Sequence, residues 1–253
     1  MNLGRPHLSI VIPAFNEQDR LPASLERVDT YLQEERIDGE VVVVDDGSTD
    51  RTAEVANEFL RDKRGRVVVL AENRGKGAAV RRGVFEARGR WILMTDADLS
   101  APVEEYAKLA RTARDGDIDL VIASRGLPDS QVEVRQAWVR QTMGKTFNVL
   151  MRGMTGLSFR DTQCGFKLMD RARVLPLFEK MVIDRFAFDI ELLFLAVRFG
   201  LSVREIPVIW RNEPNSRVSM LTDPISMLWD VGRVRWRFRR GEYNPDTPGG
   251  SNP

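Results

Sequence analysis

Two carboxylates, Asp96 and Asp98, follow the apolar run Trp91 to Thr95 and are separated only by Ala97. The run is typical of a buried strand, and in parallel sheets the ligand crevice lies beyond the carboxyl ends of the strands. Mg²⁺ and Mn²⁺ prefer oxygen ligands and are commonly shared between a few carboxylates and substrate phosphates. An Asp-x-Asp pair here could therefore hold a divalent cation against a nucleotide diphosphate. The plainer alternative is a solvated turn that caps the next helix.

Polar residues also follow the first two predicted strands. Pro13 to Glu17 follows the first, where a ligand could lie over the strand ends or Asn16 could simply cap a helix. Asp45 and Asp46 follow the second, where a carboxylate could accept hydrogen bonds from a base or a ribose hydroxyl. Gly47 would allow a tight turn or the close approach of a ligand. The alternative for this second cluster is a capped turn with surplus charge.

The segment Asn73 to Gly77 combines glycines with the cations of Arg74 and Lys76 just before a predicted helix. Backbone N–H groups and positive charge at a helix N-terminus favour the binding of anions. The alternative is a glycine-rich turn without a ligand, which would have the same sequence pattern. The segment is not a Walker A loop, and no dinucleotide glycine fingerprint follows the first strand. An NAD-dependent oxidoreductase is therefore disfavoured.

The elements that must position these residues alternate through the first half of the chain. Strands are predicted at 8–12, 40–44, 67–70, 91–95 and 119–123, and helices at 17–35, 50–61 and 75–87. This order indicates an α/β fold with a mostly parallel central sheet flanked by helices, and Pro13 is expected to end the first strand. The second half predicts loops at 127–136 and 161–167, helices at 137–151, 168–179, 188–199 and 223–240, and an edge strand at 203–209 that contains Pro207.

Composition narrows the class of protein. The 253 residues carry a net charge of +1, so no global field favours nucleic acid. His7 and Cys164 are the only histidine and cysteine, which excludes a histidine-based triad, a histidine-rich zinc site and an intrachain disulfide. The start resembles no signal peptide, and no segment reaches the ~20 apolar residues of a spanning helix. A cytoplasmic protein is expected, with any membrane contact peripheral.

The motifs PAFNE, VVDDGSTDRT, NRGKGAAVRRG and TDADLS, in this order, resemble those of the family 2 inverting glycosyltransferases. Asp161 to Lys167 (DTQCGFK), with Ala123 to Arg125, Phe188 to Leu193 and Ser216 to Ser219, narrows the resemblance to polyprenyl-phosphate sugar transferases of the dolichyl-phosphate β-glucosyltransferase branch. The resemblance implies one GT-A catalytic domain at 1–243, with a Rossmann-like nucleotide-sugar half at 1–100 and an acceptor half at 101–222. A basic amphipathic helix at 223–240 and a disordered tail at 244–253 complete the prediction.

The resemblance also implies roles for matching residues. Contacts to the nucleoside are expected from Pro13, Ala14, Glu17 and either Asp45 or Asp46. Arg74 and Lys76 would screen phosphate charge, and Asp96 and Asp98 would bridge Mg²⁺ or Mn²⁺ to the donor diphosphate. Arg125 and Arg217 are candidates for a phosphate of the lipid or of the donor, since the guanidinium fork binds phosphate bidentately. Each arginine could instead form a surface salt bridge.

Three residues of the acceptor half complete the implied site. Gln163 lies in a loop that could line the sugar pocket. Asp189 and Glu191 could each be a base, a ligand of a sugar hydroxyl or an anchor for an arginine. Residues two apart on a helix do not share a face, so at most one of them should contact substrate.

The expected reaction is metal-dependent transfer of glucose from UDP-glucose to a polyprenyl phosphate, with inversion to a β-linked product. A phosphate monoester is mostly dianionic near pH 7, so it needs positioning more than a base. The alternatives are a GDP-mannose-dependent mannosyltransferase, a transferase with a soluble acceptor that uses Asp189 as base, and a non-catalytic nucleotide-binding subunit. The oligomeric state is left open, with a homo-oligomer among the possibilities.

The segment from Leu228 to Arg240 mixes apolar and aromatic residues with five arginines. Such a mixture suits an anionic membrane surface, with Val231, Trp236 and Phe238 among the apolar members. The alternative is a helix that packs on the sheet and exposes its arginines. The expected location is therefore peripheral, on the cytoplasmic face of a membrane.

Overall fold

A seven-stranded sheet lies at the centre of the protein. The computed structural model describes residues 6–133, 150–211 and 223–243. The strands are β1 (Leu8–Ala14), β2 (Gly39–Asp45), β3 (Gly65–Val69), β4 (Trp91–Met94), β5 (Leu120–Ser124), β6 (Gln131–Val132), β7 (Lys167–Asp170), β8 (Val203–Pro207) and β9 (Ile209–Trp210). Their order in the sheet is β3-β2-β1-β4-β7-β5-β8, and β6 and β9 form a separate parallel pair. β7 runs antiparallel to both of its neighbours, and the other pairs are parallel.

Helices cover both faces of this sheet. They are α1 (Leu21–Glu34), α2 (Thr52–Leu60), α3 (Lys76–Glu86), α4 (Tyr106–Gly116), α5 (Arg171–Lys180), α6 (Phe188–Arg198) and α7 (Asp223–Arg239), with a further helix at 150–155. Along β2, Val42 and Val44 join the apolar layer under α3, α5, α6 and α7, whereas Val41 and Val43 join the layer under α1, α2 and α4. Because both faces are buried, the strand reads as a continuous run of valines. The predicted α/β fold, with a mostly parallel sheet flanked by helices, is confirmed.

The predicted end of the first strand is wrong, because β1 continues through Pro13 to Ala14. Val11 is the last residue of β1 that pairs with β4, opposite Met94. Pro13 lies two residues further on, so its nitrogen faces the side on which this pairing has already ended. The missing N–H therefore costs no ladder hydrogen bond.

The predicted helix at 168–179 is wrong at its start. Lys167–Asp170 forms β7, and α5 begins only at Arg171. Asp170 caps α5 by accepting hydrogen bonds from the N–H groups of Ala172 and Arg173 at 2.9 and 3.3 Å. The predicted loop at 127–136 also contains a strand, β6, while β8 lies at the sheet edge as predicted. Most of the predicted helix at 137–151, and all of the tail at 244–253, lie outside the described residues.

Candidate active site

The loops after β1 and β2 are tied together by side chains. The Oδ1 of Asp45 accepts hydrogen bonds from the backbone N–H and the hydroxyl of Ser48. The Ser48 hydroxyl oxygen in turn accepts from the N–H of Asn16, and Oδ1 of Asn16 accepts from the N–H of Thr49, each at 2.8 Å. Asn16 has a φ of 52°, so it turns the chain between Ala14 and α1 rather than capping the helix. These hydrogen bonds hold together the two loops at the carboxyl ends of β1 and β2.

Asp46 connects β2 to the start of α3. Its two carboxylate oxygens accept hydrogen bonds from the N–H groups of Arg74 and Gly75, at 2.9 and 2.8 Å. Burial raises the pKa of Asp46, and these two N–H groups oppose the shift. The Arg74 guanidinium lies 3.1 Å from the Asp184 carboxylate. Both oxygens of Asp46 therefore serve to shape the predicted anion-binding loop.

That loop packs so closely against the chain at the start of α6 that neither Gly75 nor Gly77 has space for a side chain. Gly75 has a φ of 108°, and a Cβ built there would lie 2.6 Å from the carbonyl oxygen of Asp184. A Cβ on Gly77 would lie 2.6 Å from the carbonyl oxygen of Ile183 and 2.7 Å from Cβ of Phe188. The backbone that carries Lys76 is therefore rigidly placed.

Lys76 reaches the Asp-x-Asp pair. Its Nζ lies 2.5 Å from Oδ1 of Asp96, and both side chains are partly exposed. Although burial opposes it, the carboxylates of Asp96 and Asp189 raise the pKa of Lys76. Asp98 accepts a hydrogen bond from the N–H of Ser100 at 2.9 Å. Burial raises the pKa of Asp98, and the neighbouring Asp96 carboxylate raises it further.

Gly165 brings the second half of the chain against Asp96. β7 pairs with β4 in antiparallel register, with Lys167 opposite Met94, so the loop before β7 passes alongside the residues after β4. A Cβ built on Gly165 would lie only 2.2 Å from Oδ2 of Asp96. A side chain at residue 165 of the DTQCGFK motif could therefore be accommodated only if the Asp96 carboxylate moved.

A buried ion pair lies beneath this loop. Nζ of Lys167 is 2.5 Å from Oδ1 of Asp189 and 2.5 Å from the carbonyl oxygen of Cys164. Lys167 is fully buried and Asp189 nearly so. Burial raises the pKa of Asp189, and the charges of Lys167 and Lys76 oppose the shift. Asp189 thus faces the charged groups of the site but is not open to solvent.

Glu191 has a different role. Its carboxylate accepts hydrogen bonds from the N–H groups of Val182 and Ile183 and from the Tyr243 hydroxyl at 2.7 Å. Burial raises its pKa. Asp189 and Glu191 therefore do not share partners: Asp189 faces the charged cluster, and Glu191 fastens the chain before α6 to Tyr243.

Arg125 is held in a bidentate pair. Its Nε and one terminal nitrogen donate to the Asp161 carboxylate at 2.7 and 2.9 Å, and its backbone N–H donates to the same group at 3.0 Å. Its guanidinium carbon lies 4.8 Å from the ring centre of Trp210. Burial opposes the ionisation of Asp161, but the charge of Arg125 and its hydrogen bonds lower the pKa of Asp161 to about 2. Asp161 is not among the predicted site residues, although it stands at the start of the DTQCGFK motif.

The remaining predicted residues are more dispersed. Gln163 lies beside α7, with its side-chain nitrogen 3.7 Å from the sulfur of Met227. The N–H of Glu17 donates to the Thr52 hydroxyl at 2.7 Å, so Glu17 lies beside the first residue of α2. Burial raises the pKa of Cys164 to about 12, which leaves it a wall residue. Arg217 lies outside the described residues.

The acidic pair fits a divalent cation that is shared with a substrate. Within 6–133, 150–211 and 223–243, no three histidine, cysteine or acidic side chains converge to hold a metal ion by themselves. Asp96 and Asp98 supply two hard oxygen donors. Burial raises the pKa of Asp98 and the charge of Asp96 raises it further, and a cation would relieve this repulsion. Mg²⁺ and Mn²⁺ typically use one or two carboxylates together with phosphate oxygens. The donor set therefore fits a divalent cation that is shared with phosphate oxygens.

The basic helix α7 buries one side and exposes another. Val231 and Val234 are buried in the apolar layer beneath α6, and Phe238 packs edge-on against Phe194. Trp229 and Trp236, seven residues apart and so on one face, are 73% and 54% exposed. None of the helices in the described part of the chain has the length and apolar character needed to cross a bilayer.

The motifs and the fold both match known transferases. The family described as Glycosyl transferase family 2 matches residues 9–175. Dolichyl-phosphate beta-glucosyltransferases from Dictyostelium discoideum and Homo sapiens are each 32% identical over 93% of this chain, which covers 76% and 77% of those proteins. Another of the same name from Saccharomyces cerevisiae is 31% identical, again over 93% of this chain and 76% of the relative.

Solved structures share the architecture at lower identity. Mannosyl-3-phosphoglycerate synthase from Rubrobacter xylanophilus superposes with a TM-score of 0.69 at 20% identity, over 98% of this chain and 79% of that one. Glucosyl-3-phosphoglycerate synthase from Mycobacterium tuberculosis was solved with Mn²⁺, UDP-glucose and glycerol 3-phosphate. It superposes with a TM-score of 0.66 at 20% identity, over 97% of this chain and 82% of that one. These are GT-A glycosyltransferases, so the predicted GT-A fold is confirmed. Fold, motif order and relatives agree, and the chain belongs to glycosyl transferase family 2.

Proposed function

We propose that this family 2 glycosyltransferase moves glucose from UDP-glucose to a dolichyl-type polyprenyl phosphate and forms a β-linked product. The observation that carries the proposal is the Asp96-Ala97-Asp98 pair beside Lys76, in a chain that aligns over 93% of its length with dolichyl-phosphate beta-glucosyltransferases. We assign the donor to the half before residue 100 and the acceptor to the remainder. The pair lies where β4 meets the loop before β7, between the two halves.

The donor is proposed to lie over the ends of β1, β2 and β4. Both carboxylate oxygens of Asp46 accept backbone N–H groups, whereas the bonds of Asp45 use Oδ1. We therefore assign the contact to the base or ribose to Asp45, with Pro13, Ala14 and Glu17 lining the nucleoside. Asp96 and Asp98 would hold Mg²⁺ or Mn²⁺, and the metal would supply positive charge to stabilise the leaving diphosphate.

The acceptor is proposed to need no general base. Asp189 is our first candidate for the base that a hydroxyl acceptor would require, but its carboxylate is buried and bonded to Lys167. A phosphate monoester is already mostly dianionic near pH 7 and can attack the sugar carbon directly from the face opposite the diphosphate. This arrangement favours a phosphate acceptor over a neutral sugar hydroxyl. Arg125 and Arg217 remain our candidates for phosphate contacts, with Gln163 beside the sugar.

Arg125 is proposed to act with Asp161 as one unit. Asp161 neutralises the guanidinium and is itself held by Glu205, which accepts from the N–H groups of Arg160 and Asp161 at 2.9 and 2.7 Å. The pair therefore fixes the loop that ends at Gly165 and leaves part of the guanidinium edge for a phosphate oxygen.

The outer face of α7 is proposed to lie on an anionic membrane surface. Trp229 and Trp236 supply the apolar anchors, with Arg233 and Arg240 on the same side of the helix. The test is binding to vesicles of anionic lipid. Changing both tryptophans to serine should weaken binding about tenfold or more, whereas Phe85→Ser, at an exposed site on α3, should leave it unchanged. Equal binding by the double variant and wild type would remove this assignment.

A transfer assay tests the function itself. Purified protein is incubated with polyprenyl phosphate, Mg²⁺ or Mn²⁺, and radiolabelled UDP-glucose or GDP-mannose in parallel. Labelled lipid from UDP-glucose alone is the expected result. Labelled lipid from GDP-mannose alone would show that the assignment of glucose is wrong but would leave the proposed metal–donor site in place. Transfer only to a soluble acceptor would show that the assignment of a lipid acceptor is wrong.

A further inference from the structure

The ammonium group of Lys76 contacts the Asp96 carboxylate, which is also a proposed ligand of the metal ion. Its ammonium is 2.5 Å from Oδ1 of Asp96, while the backbone at Gly75 and Gly77 is fixed against the chain before α6. Because the start of α3 is packed this closely, the flexible side chain of Lys76 is the part that can leave Asp96. In the form seen here, the ammonium and a cation at Asp96 would compete for the same oxygen.

The charges of the site are nearly balanced with Lys76 in place. Among the residues that the structure describes, the cations that interact with these carboxylates are Lys76, Lys167 and Arg125, and the anions are Asp96, Asp98, Asp189 and Asp161. With every group ionised, one negative charge remains. A bare divalent cation would reverse the sign of this partly buried cluster, which is unfavourable in a medium of low dielectric constant. A divalent cation that arrives with a nucleotide diphosphate would add no net positive charge, because the diphosphate carries two negative charges in UDP-glucose and about three in UDP near pH 7.

We propose that Lys76 is the internal counter-ion of Asp96, which keeps this carboxylate closed to a bare cation until a nucleotide diphosphate is present. The inference rests on the proposed metal–donor site. The diphosphate gives the Lys76 ammonium a second anionic partner, so the side chain moves from Asp96 to the phosphate and frees Oδ1. Lys76 thereby makes metal binding depend on the donor and later screens the leaving diphosphate.

The test is direct measurement of Mn²⁺ binding, without turnover. Titration calorimetry or the electron paramagnetic resonance signal of free Mn²⁺ gives the affinity of purified protein, with and without UDP. Wild type should bind Mn²⁺ at least about tenfold tighter with UDP. Lys76→Met should bind Mn²⁺ alone about tenfold to hundredfold tighter than wild type does, because it removes a unit charge about 4 Å from the cation. Its dependence on UDP should shrink accordingly.

Two further variants separate charge from structure. Lys76→Arg keeps the positive charge and should keep the dependence on UDP. Arg82→Met removes an exposed charge from the same helix, where it pairs with Glu86, and should behave as wild type. If Lys76→Met binds Mn²⁺ alone no better than wild type, while UDP still promotes binding, the counter-ion role is overturned and the metal site stands. If wild type binds Mn²⁺ under neither condition, both proposals fail.

Discussion

Replacing Gly165 by alanine should damage the active site without removing any charged or polar group. A Cβ at this position would lie 2.2 Å from Oδ2 and 2.6 Å from Cγ of Asp96, against 3.4 Å or more for an ordinary contact. The carboxylate would have to retreat by about 1 Å. Asp96 is partly exposed and ends in a flexible group, so its side chain moves more easily than the sheet does.

The size of the effect follows from that displacement. A shift of about 1 Å in a positioned group can lower the rate about a hundredfold, which corresponds to about 2.7 kcal/mol of transition-state stabilisation. The free energy of unfolding should fall by only about 1 kcal/mol, because the backbone of Gly165 does not need a positive φ and the clash falls on a side chain. Activity and stability are therefore expected to separate.

Three measurements on Gly165→Ala check this reasoning. They are the transfer rate from UDP-glucose to polyprenyl phosphate, the Mn²⁺ affinity in the presence of UDP, and the urea unfolding curve. Gly153→Ala is the matched control, since a Cβ there meets nothing within 4 Å. A folded Gly165→Ala protein with wild-type rate and Mn²⁺ affinity would refute the argument that Gly165 sets the position of Asp96.

Three other substitutions probe the charged groups. Asp98→Ala should abolish transfer and leave the fold intact, and near-normal activity that EDTA also spares would contradict the metal assignment. Asp161→Asn should lower the free energy of unfolding at neutral pH by about 2 kcal/mol, because the native pKa of Asp161 is about 2 against 3.8 for a free group. This stability is present above pH 4 and is lost as the pH falls toward 2, so urea curves of wild type and variant should converge over that range; a constant gap would contradict it. Lys167→Met should cost about 3–5 kcal/mol by leaving Asp189 buried without its partner, and adding Asp189→Asn should restore part of the loss, whereas additive losses would contradict the pairing.

The strand-end clusters could be predicted because each stands where an apolar run stops. Asp45 ends β2, and Asp96 lies two residues after the end of β4, so periodicity and turn chemistry are enough to predict that both lie at the carboxyl ends of parallel strands. Sequence could not assign the separate tasks of Asp45 and Asp46. Those tasks depend on the N–H groups of Arg74 and Gly75, which come from another loop.

The interior of the second half could not be predicted for a different reason. Lys167 is charged and yet fully buried, which no hydrophobic pattern suggests, so the sequence predicts the start of a helix where β7 lies. Its partner Asp189, like the Asp161 carboxylate that holds Arg125, becomes apparent only when distant segments meet. On α7, the alternation of arginines with apolar residues did not reveal which members face the core.

The antiparallel strand β7 also has consequences for how the protein folds. β4 and β5 are not bonded to each other, because β7 fills the place between them. Until β7 takes this place, β4 and β5 each present an unpaired edge that is open to intermolecular pairing. Gly165 reaches Asp96 only when β7 inserts. We therefore expect the acidic pair to gain its final surroundings in the last step of folding, and a chain truncated before Lys167 to aggregate rather than to form a smaller transferase.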